Sequence, residues 1–157
     1  MPGRKEDVIA AIRNAEAEVE RLVESAPEPA WSKGAYEQGW NAKQLLCHIA
    51  STSGVAGFLI AMAQASAGGG PGADFDVDSW NAQAVAERQD KAVEEIMEEA
   101  RTNFRRDIAG VEAAPGDLLS RNFRAPWGSE GPLGDVIVAS VQEHLMVHAR
   151  DLARALG

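Results

Sequence analysis

Apolar residues recur at helical spacing along four long stretches of this chain, and no pair of stretches alternates as strands would. That pattern leaves a bundle of helices as the expected fold. The first stretch runs from about Glu6 to Glu24, with Val8, Ile12, Ala15, Val19 and Leu22 on one stripe. The second opens at Asn41, a good N-cap, and continues to about Ser66 with Leu45, His48, Thr52, Val55, Leu59 and Met62 in line. The third, from Asp78 to about Ala109, carries Val85, Ala92 and Ile96, then Met97, Ala100, Phe104 and Ile108. The fourth begins near Pro132-Leu133, ends at Gly157 and aligns Ile137, Val141, His144, His148, Asp151 and Ala155. The expected architecture is all-α, a four-helix bundle with residues 1–157 forming a single domain.

The connections constrain the topology. Ala67 to Val77 is Gly-rich and long for a tight helical hairpin. Its eleven residues could reach roughly 36 Å when extended, while a helix like the second is about 39 Å long. The second and third helices can therefore run parallel, giving an up-down-down-up bundle with long crossover loops. The segment Gly110 to Gly131, with Pro115, Pro126 and Trp127, is expected to pack over one end or side.

Composition narrows the function classes. Of the 157 residues, 45% are apolar and 25% charged, a balance suited to a packed core. The single cysteine, Cys47, rules out an internal disulfide and a cysteine-based zinc finger. The N-terminus turns charged at once, without an apolar signal core, and Val55 to Ala67 is too short and Gly/Ala-rich to span a bilayer. A cytoplasmic protein without a membrane partner is expected. The net charge of −9 argues against nucleic acid as a partner, and the basic run Arg101 to Arg106 is diluted by Glu98, Glu99 and Asp107. Dimerisation through an exposed helix face is compatible with the pattern, although no stripe demands it.

All three histidines fall on stripes that should face the core. His144 and His148, spaced i, i+4, put two imidazoles on one face, an arrangement suited to two ligands of one ion. His48 lies roughly 10 Å along its helix from Asn41, and His148 roughly 13 Å before the end of the last helix. In antiparallel helices these positions meet at one height, so His48 can supply a third ligand. A hydrogen-bonded core role is the competing reading, but three buried imidazoles without partners are costly.

Two segments carry a family resemblance. Trp40-Asn-Ala-Lys-Gln-Leu-Leu-Cys-His48-Ile-Ala resembles the start of the second helix in the DinB/YfiT-like superfamily, and Gln142-Glu-His-Leu-Met-Val-His148-Ala-Arg-Asp-Leu152 its metal-binding last helix. With Asp78-Ser-Trp-Asn-Ala-Gln-Ala-Val-Ala-Glu-Arg88, the pattern is most similar to the mycothiol-dependent maleylpyruvate isomerase N-terminal branch. The resemblance implies an up-down-down-up four-helix bundle and His48, His144 and His148 as ligands of one divalent metal ion, zinc first and nickel second. It also implies chemistry with a low-molecular-weight thiol such as mycothiol or bacillithiol, and with an electrophilic substrate.

Further residues are candidates for the cavity. Asn81 and Arg88 share a face near the start of the third helix and could bind a cofactor, Arg88 through a carboxylate. An ion pair with Glu87 or Asp90 competes for Arg88. Asp151, one turn beyond His148, could accept a hydrogen bond from a ligand imidazole, with a helix-end ion pair as the alternative. Trp40, Trp80 and Trp127 could wall the mouth. Cys47 reads as a buried small hydrophobe, and Glu143 points away from the histidines. Three functions fit: a metal-dependent thiol S-transferase or isomerase; a metal-assisted hydrolase with Asp151 as the only inward carboxylate; and a non-catalytic metal-binding or stress-response bundle.

Overall fold

The computed structural model describes residues 4–34, 39–65 and 76–156. Helix α1 spans Lys5–Ser25 and buries Val8, Ala11, Ile12, Ala15, Val19 and Leu22, the stripe expected for the first helix. A short 3-10 turn at Glu28–Ser32 buries Trp31 and leads to the second helix, which consists of two pieces, α2 at Ala42–Thr52 and α3 at Val55–Ala65. Asn41 caps α2 in a capping box: its side chain accepts from the Gln44 amide at 2.8 Å, while Gln44 Oε1 accepts from the Asn41 amide at 3.0 Å.

The third periodic segment is two helices rather than one. Helix α4 at Val77–Arg88 stops at Gln89, and α5 resumes at Val93–Ala113. Ala92, expected on the core stripe, is instead an exposed residue in extended conformation at the start of α5. The break reverses the chain. Gln89 reaches Gln44 near the start of α2 at 2.9 Å, whereas Asn81 lies beside Ser51 and Gly54 at its end, so α4 runs against α2. Helix α5 runs with it: Asn103 Nδ2 donates to Ser53 Oγ at 3.1 Å and Asp107 accepts from Ala56 and Gly57. Against α1 it is antiparallel, with Lys5 at Glu112 and Arg101 at Glu20.

After α5, the loop expected to cover one end carries helix α6 at Gly116–Ser120 and a small antiparallel hairpin, β1 at Asn122–Arg124 paired with β2 at Glu130–Pro132. No strand pair was expected there. The hairpin is too short to alternate visibly, and it holds one core side chain, Phe123. The last helix is α7 at Leu133–Ala139, a π-helical turn at Ser140–Leu145, and α8 at Met146–Leu156. With α7 packed on α3 and α8 on α2, it runs against the second helix. The four long helices are therefore up-down-down-up, as expected. Residues 66–75, most of the crossover inferred from the sequence, lie outside the described residues.

The core is aliphatic and continuous. Ile12, Leu45, Ile49, Leu59, Ile96, Phe104 and Ile137 are all at most 1% exposed, each contributing about 1.5–3 kcal/mol by burial. The stretch judged too short for a membrane is joined to α2: Ala42–Ala65 is long and apolar enough to cross a bilayer by length and composition, but half of its residues are buried inside the fold.

Asp107 holds the break between α2 and α3. Its two carboxyl oxygens accept from the amides of Ala56 and Gly57, both at 3.1 Å, meeting first-turn donors of α3 that have no helical partner. Gly57 is part of this contact, because a Cβ there would sit 2.7 Å from Asp107 Oδ1. The Gly57→Ala variant is expected to push the carboxyl off its amides and cost about 1–3 kcal/mol, measured by urea denaturation.

Candidate metal centre

The capping box fixes where α2 begins, and His48 follows two turns later on its inner face, 2% exposed. Trp40, just before the cap, lays its ring against the imidazole, with centroids 5.2 Å apart. His144 and His148 approach from the last helix. The three rings stand nearly perpendicular to one another, with centroids 4.7 Å apart for His48 and His148, 4.6 Å for His144 and His148, and 5.4 Å for His48 and His144. One ligand nitrogen from each lies within 4.8 Å of the others. A modest turn of the rings would close that spacing onto one ion, whose bonds to imidazole nitrogen are about 2.1 Å long.

The chemistry of the donors also fits. Burial holds the His48 imidazole down to about 3, with the neighbouring His148 and His144 pushing the same way. Burial and His148 take His144 down to about 4. His148 is lowered by burial too, against the opposing pull of Asp151. The rings are therefore neutral at neutral pH, the form that binds metal. Nδ1 of His48 is fully buried with no hydrogen-bond partner in the structure, an arrangement that a bound cation would repay.

His144 does not sit where helical counting puts it. It lies in the π turn and is exposed, while Leu145 takes the core position. The turn directs His144 toward an open cavity of about 470 Å³, which it alone of the three histidines lines. Glu143 lines this cavity as well, contrary to the expectation that it points elsewhere. Phe58, Trp80 and Trp127 form apolar walls, and Ser51, Thr52 and Asn81 add uncharged polar groups.

The other sequence candidates divide. Asn81 and two of the tryptophans line the cavity; Trp40 packs on His48 instead. Arg88 does not line it. Its Nε donates to both carboxylate oxygens of Glu99 at 2.9 and 3.0 Å, its Nη1 to the Ala84 carbonyl at 2.8 Å, and Glu87 stands 3.7 Å away. Asp151 Oδ2 lies 3.7 Å from His148 Nδ1, and its other oxygen pairs with Arg154. Burial pushes the Cys47 thiol up to about 11, so it is no nucleophile at neutral pH.

The sequence model described as the mycothiol maleylpyruvate isomerase N-terminal domain matches residues 12–153. No curated protein sequence matches the chain. Among solved structures, YfiT from Bacillus subtilis, described as a probable metal-dependent hydrolase with an unusual four-helix bundle topology, has a TM-score of 0.71 at 15% identity, over 96% of this chain and 86% of that one. A mycothiol-dependent maleylpyruvate isomerase has a TM-score of 0.75 at 15% identity, over 94% of this chain but only 60% of the isomerase. The colibactin self-resistance protein ClbS in complex with dsDNA has a TM-score of 0.73 at 15% identity, over 99% of this chain and 96% of that one. The last of these overturns the expectation that nucleic acid is excluded as a partner, because a protein of this fold has been solved on a duplex. Net charge is a sum over the whole surface, whereas a phosphate meets the local field.

Proposed function

The chain belongs to the mycothiol maleylpyruvate isomerase N-terminal domain family, and from that premise we propose that it is a metal-dependent enzyme acting with a low-molecular-weight thiol, as an S-transferase or isomerase. The observation that carries this reading is the meeting of three neutral imidazoles from two antiparallel helices, one of which, His144, lines a cavity. His48, His144 and His148 would hold one divalent ion; imidazole nitrogens suit several metals, and the family resemblance puts zinc first and nickel second. Three protein ligands are the set found where a position is left for substrate or water. When bound, such an ion stabilises a cofactor sulfur as its thiolate.

The remaining residues serve the electrophile. Phe58, Trp80 and Trp127 offer it apolar surface, and the Asn81 amide can donate or accept beside it. Trp40 packs against the His48 ring. The test is thiol addition to an electrophile, followed with metal-loaded and chelator-treated protein. Acceleration that needs both thiol and metal is expected, and activity that survives complete metal removal would sink the proposal.

One observation favours a second reading. A hydrolase needs a general base near the open side of the ion, and Glu143 lines the cavity beside His144. It is better placed for that task than Asp151, which is occupied by Arg154. Ester or amide hydrolysis without added thiol, lost in Glu143→Gln, would select this reading over thiol chemistry.

A further inference from the structure

The cavity that His144 lines has a distinctive electrostatic character. Three of the four exposed large hydrophobic side chains among the described residues line it: Phe58 at 45%, Trp80 at 44% and Trp127 at 39% exposure. Large aromatic rings left open to water and gathered around one concavity mark a binding surface. The rings come from three separate elements, α3, α4 and the β1–β2 turn, so their convergence is a product of the tertiary fold. Among the described residues, no lysine or arginine lines the cavity, and its one carboxylate is Glu143. Arg88, the cation that the sequence offers for a substrate carboxylate, is taken up by Glu99. The chain as a whole carries a charge of −9.

We infer that this cavity takes an uncharged, flat aromatic compound and discriminates against carboxylates. The inference rests on the proposed function in that the compound would be the electrophile presented to the thiol. The physical argument is one of desolvation. A carboxylate entering the cavity would lose its water, gain no cationic side chain as partner there, and meet the like charge of Glu143. A neutral aromatic ring loses little water and stacks on indole or phenyl faces. Ser51, Thr52 and Asn81 supply hydrogen bonds for a hydroxyl, carbonyl or nitro group without demanding a charge.

The test compares 2-naphthol with 2-naphthoate, which share a ring system and differ in charge at neutral pH. Calorimetric titrations of the full chain are run on metal-loaded and on chelator-treated protein, because a carboxylate can also bind directly to an ion. In the chelator-treated protein, 2-naphthol is expected to bind saturably and at least about tenfold more tightly than 2-naphthoate. Phe58→Ala and Trp127→Ala, both at exposed positions and checked for fold by circular dichroism, are each expected to weaken 2-naphthol about tenfold. Glu143→Gln is expected to raise 2-naphthoate affinity severalfold. Equal or tighter binding of the carboxylate without metal would overturn the inference, as would no saturable 2-naphthol binding or unchanged binding in both aromatic variants. A protein that takes up no metal would defeat the proposed function and leave this comparison readable. A protein that takes up stoichiometric metal yet shows no preference for the neutral ring after chelation would defeat the inference alone.

Discussion

Replacing His48 with alanine is expected to take the metal content from near-stoichiometric to background, as measured by elemental analysis of protein purified without a His-tag. His48 is the only candidate ligand on the second helix, and it is more deeply buried than its two partners. Its removal leaves two imidazoles on one helix and opens the third side of the site. The same loss should appear as a change in stability. An ion that binds only the folded chain adds about 4 kcal/mol when present at a thousandfold excess over its dissociation constant, which in a chain of this size corresponds to roughly 10 °C in Tm. Chelation should lower the Tm of the parent protein by that order and leave His48→Ala unmoved. His148→Ala should behave in the same way. Stoichiometric metal retained in either variant would show that the triad does not hold the ion.

The second large effect is expected at Asp107. At pH 5, Asp107→Ala should destabilise the fold by about 2–4 kcal/mol, since two buried amides of α3 lose their acceptor. The pH dependence has a definite sign. Burial pushes the Asp107 carboxyl up to about 7, outweighing the amides of Gly57 and Ala56 that pull it down. The folded chain therefore keeps this proton in a range where the unfolded chain has already released it. The stability it contributes is complete below about pH 4 and is lost as pH rises through about 7. The gap between parent and Asp107→Ala should consequently narrow from pH 5 to pH 8, as read by urea denaturation at each pH. A gap that widens with pH would mean that the carboxylate is held in its ionised form.

The helical stripes were legible because burial follows the 3.6-residue period wherever a helix is regular. Val8 through Leu22 are buried as counted, and Asn41 begins its helix where its side-chain chemistry says it should. His48 and His148 were legible for the same reason. The break at Gln89 to Ala92 was missed because Gln-Asp-Lys contains no glycine or proline. The stripe gave no warning either, since Val85 and Ile96, eleven residues apart, stay in helical phase across the break. Asp107 was legible and overlooked: Met97, Ala100, Phe104, Asp107 and Val111 step by three and four, so a carboxylate stands squarely in a core stripe. Of the aromatic cavity, Trp80, Trp127 and Asn81 were legible as lining residues, but Phe58, Glu143 and its shape were not. That shape needs α4 to turn back along α2 and the hairpin to carry Trp127 across, and neither is written in a local pattern.

The π turn at Ser140–Leu145 has the arithmetic of an inserted residue absorbed inside a helix. Ile137, Val141, Leu145 and Ala149 are all buried at a step of four, longer than an α-helix can sustain on one face. Shortening this segment by one residue ahead of His144 would restore a plain helix and keep the four-residue spacing of His144 and His148, but it would shift the pair by one residue relative to α7. The position of this pair is therefore governed by chain length as much as by residue identity.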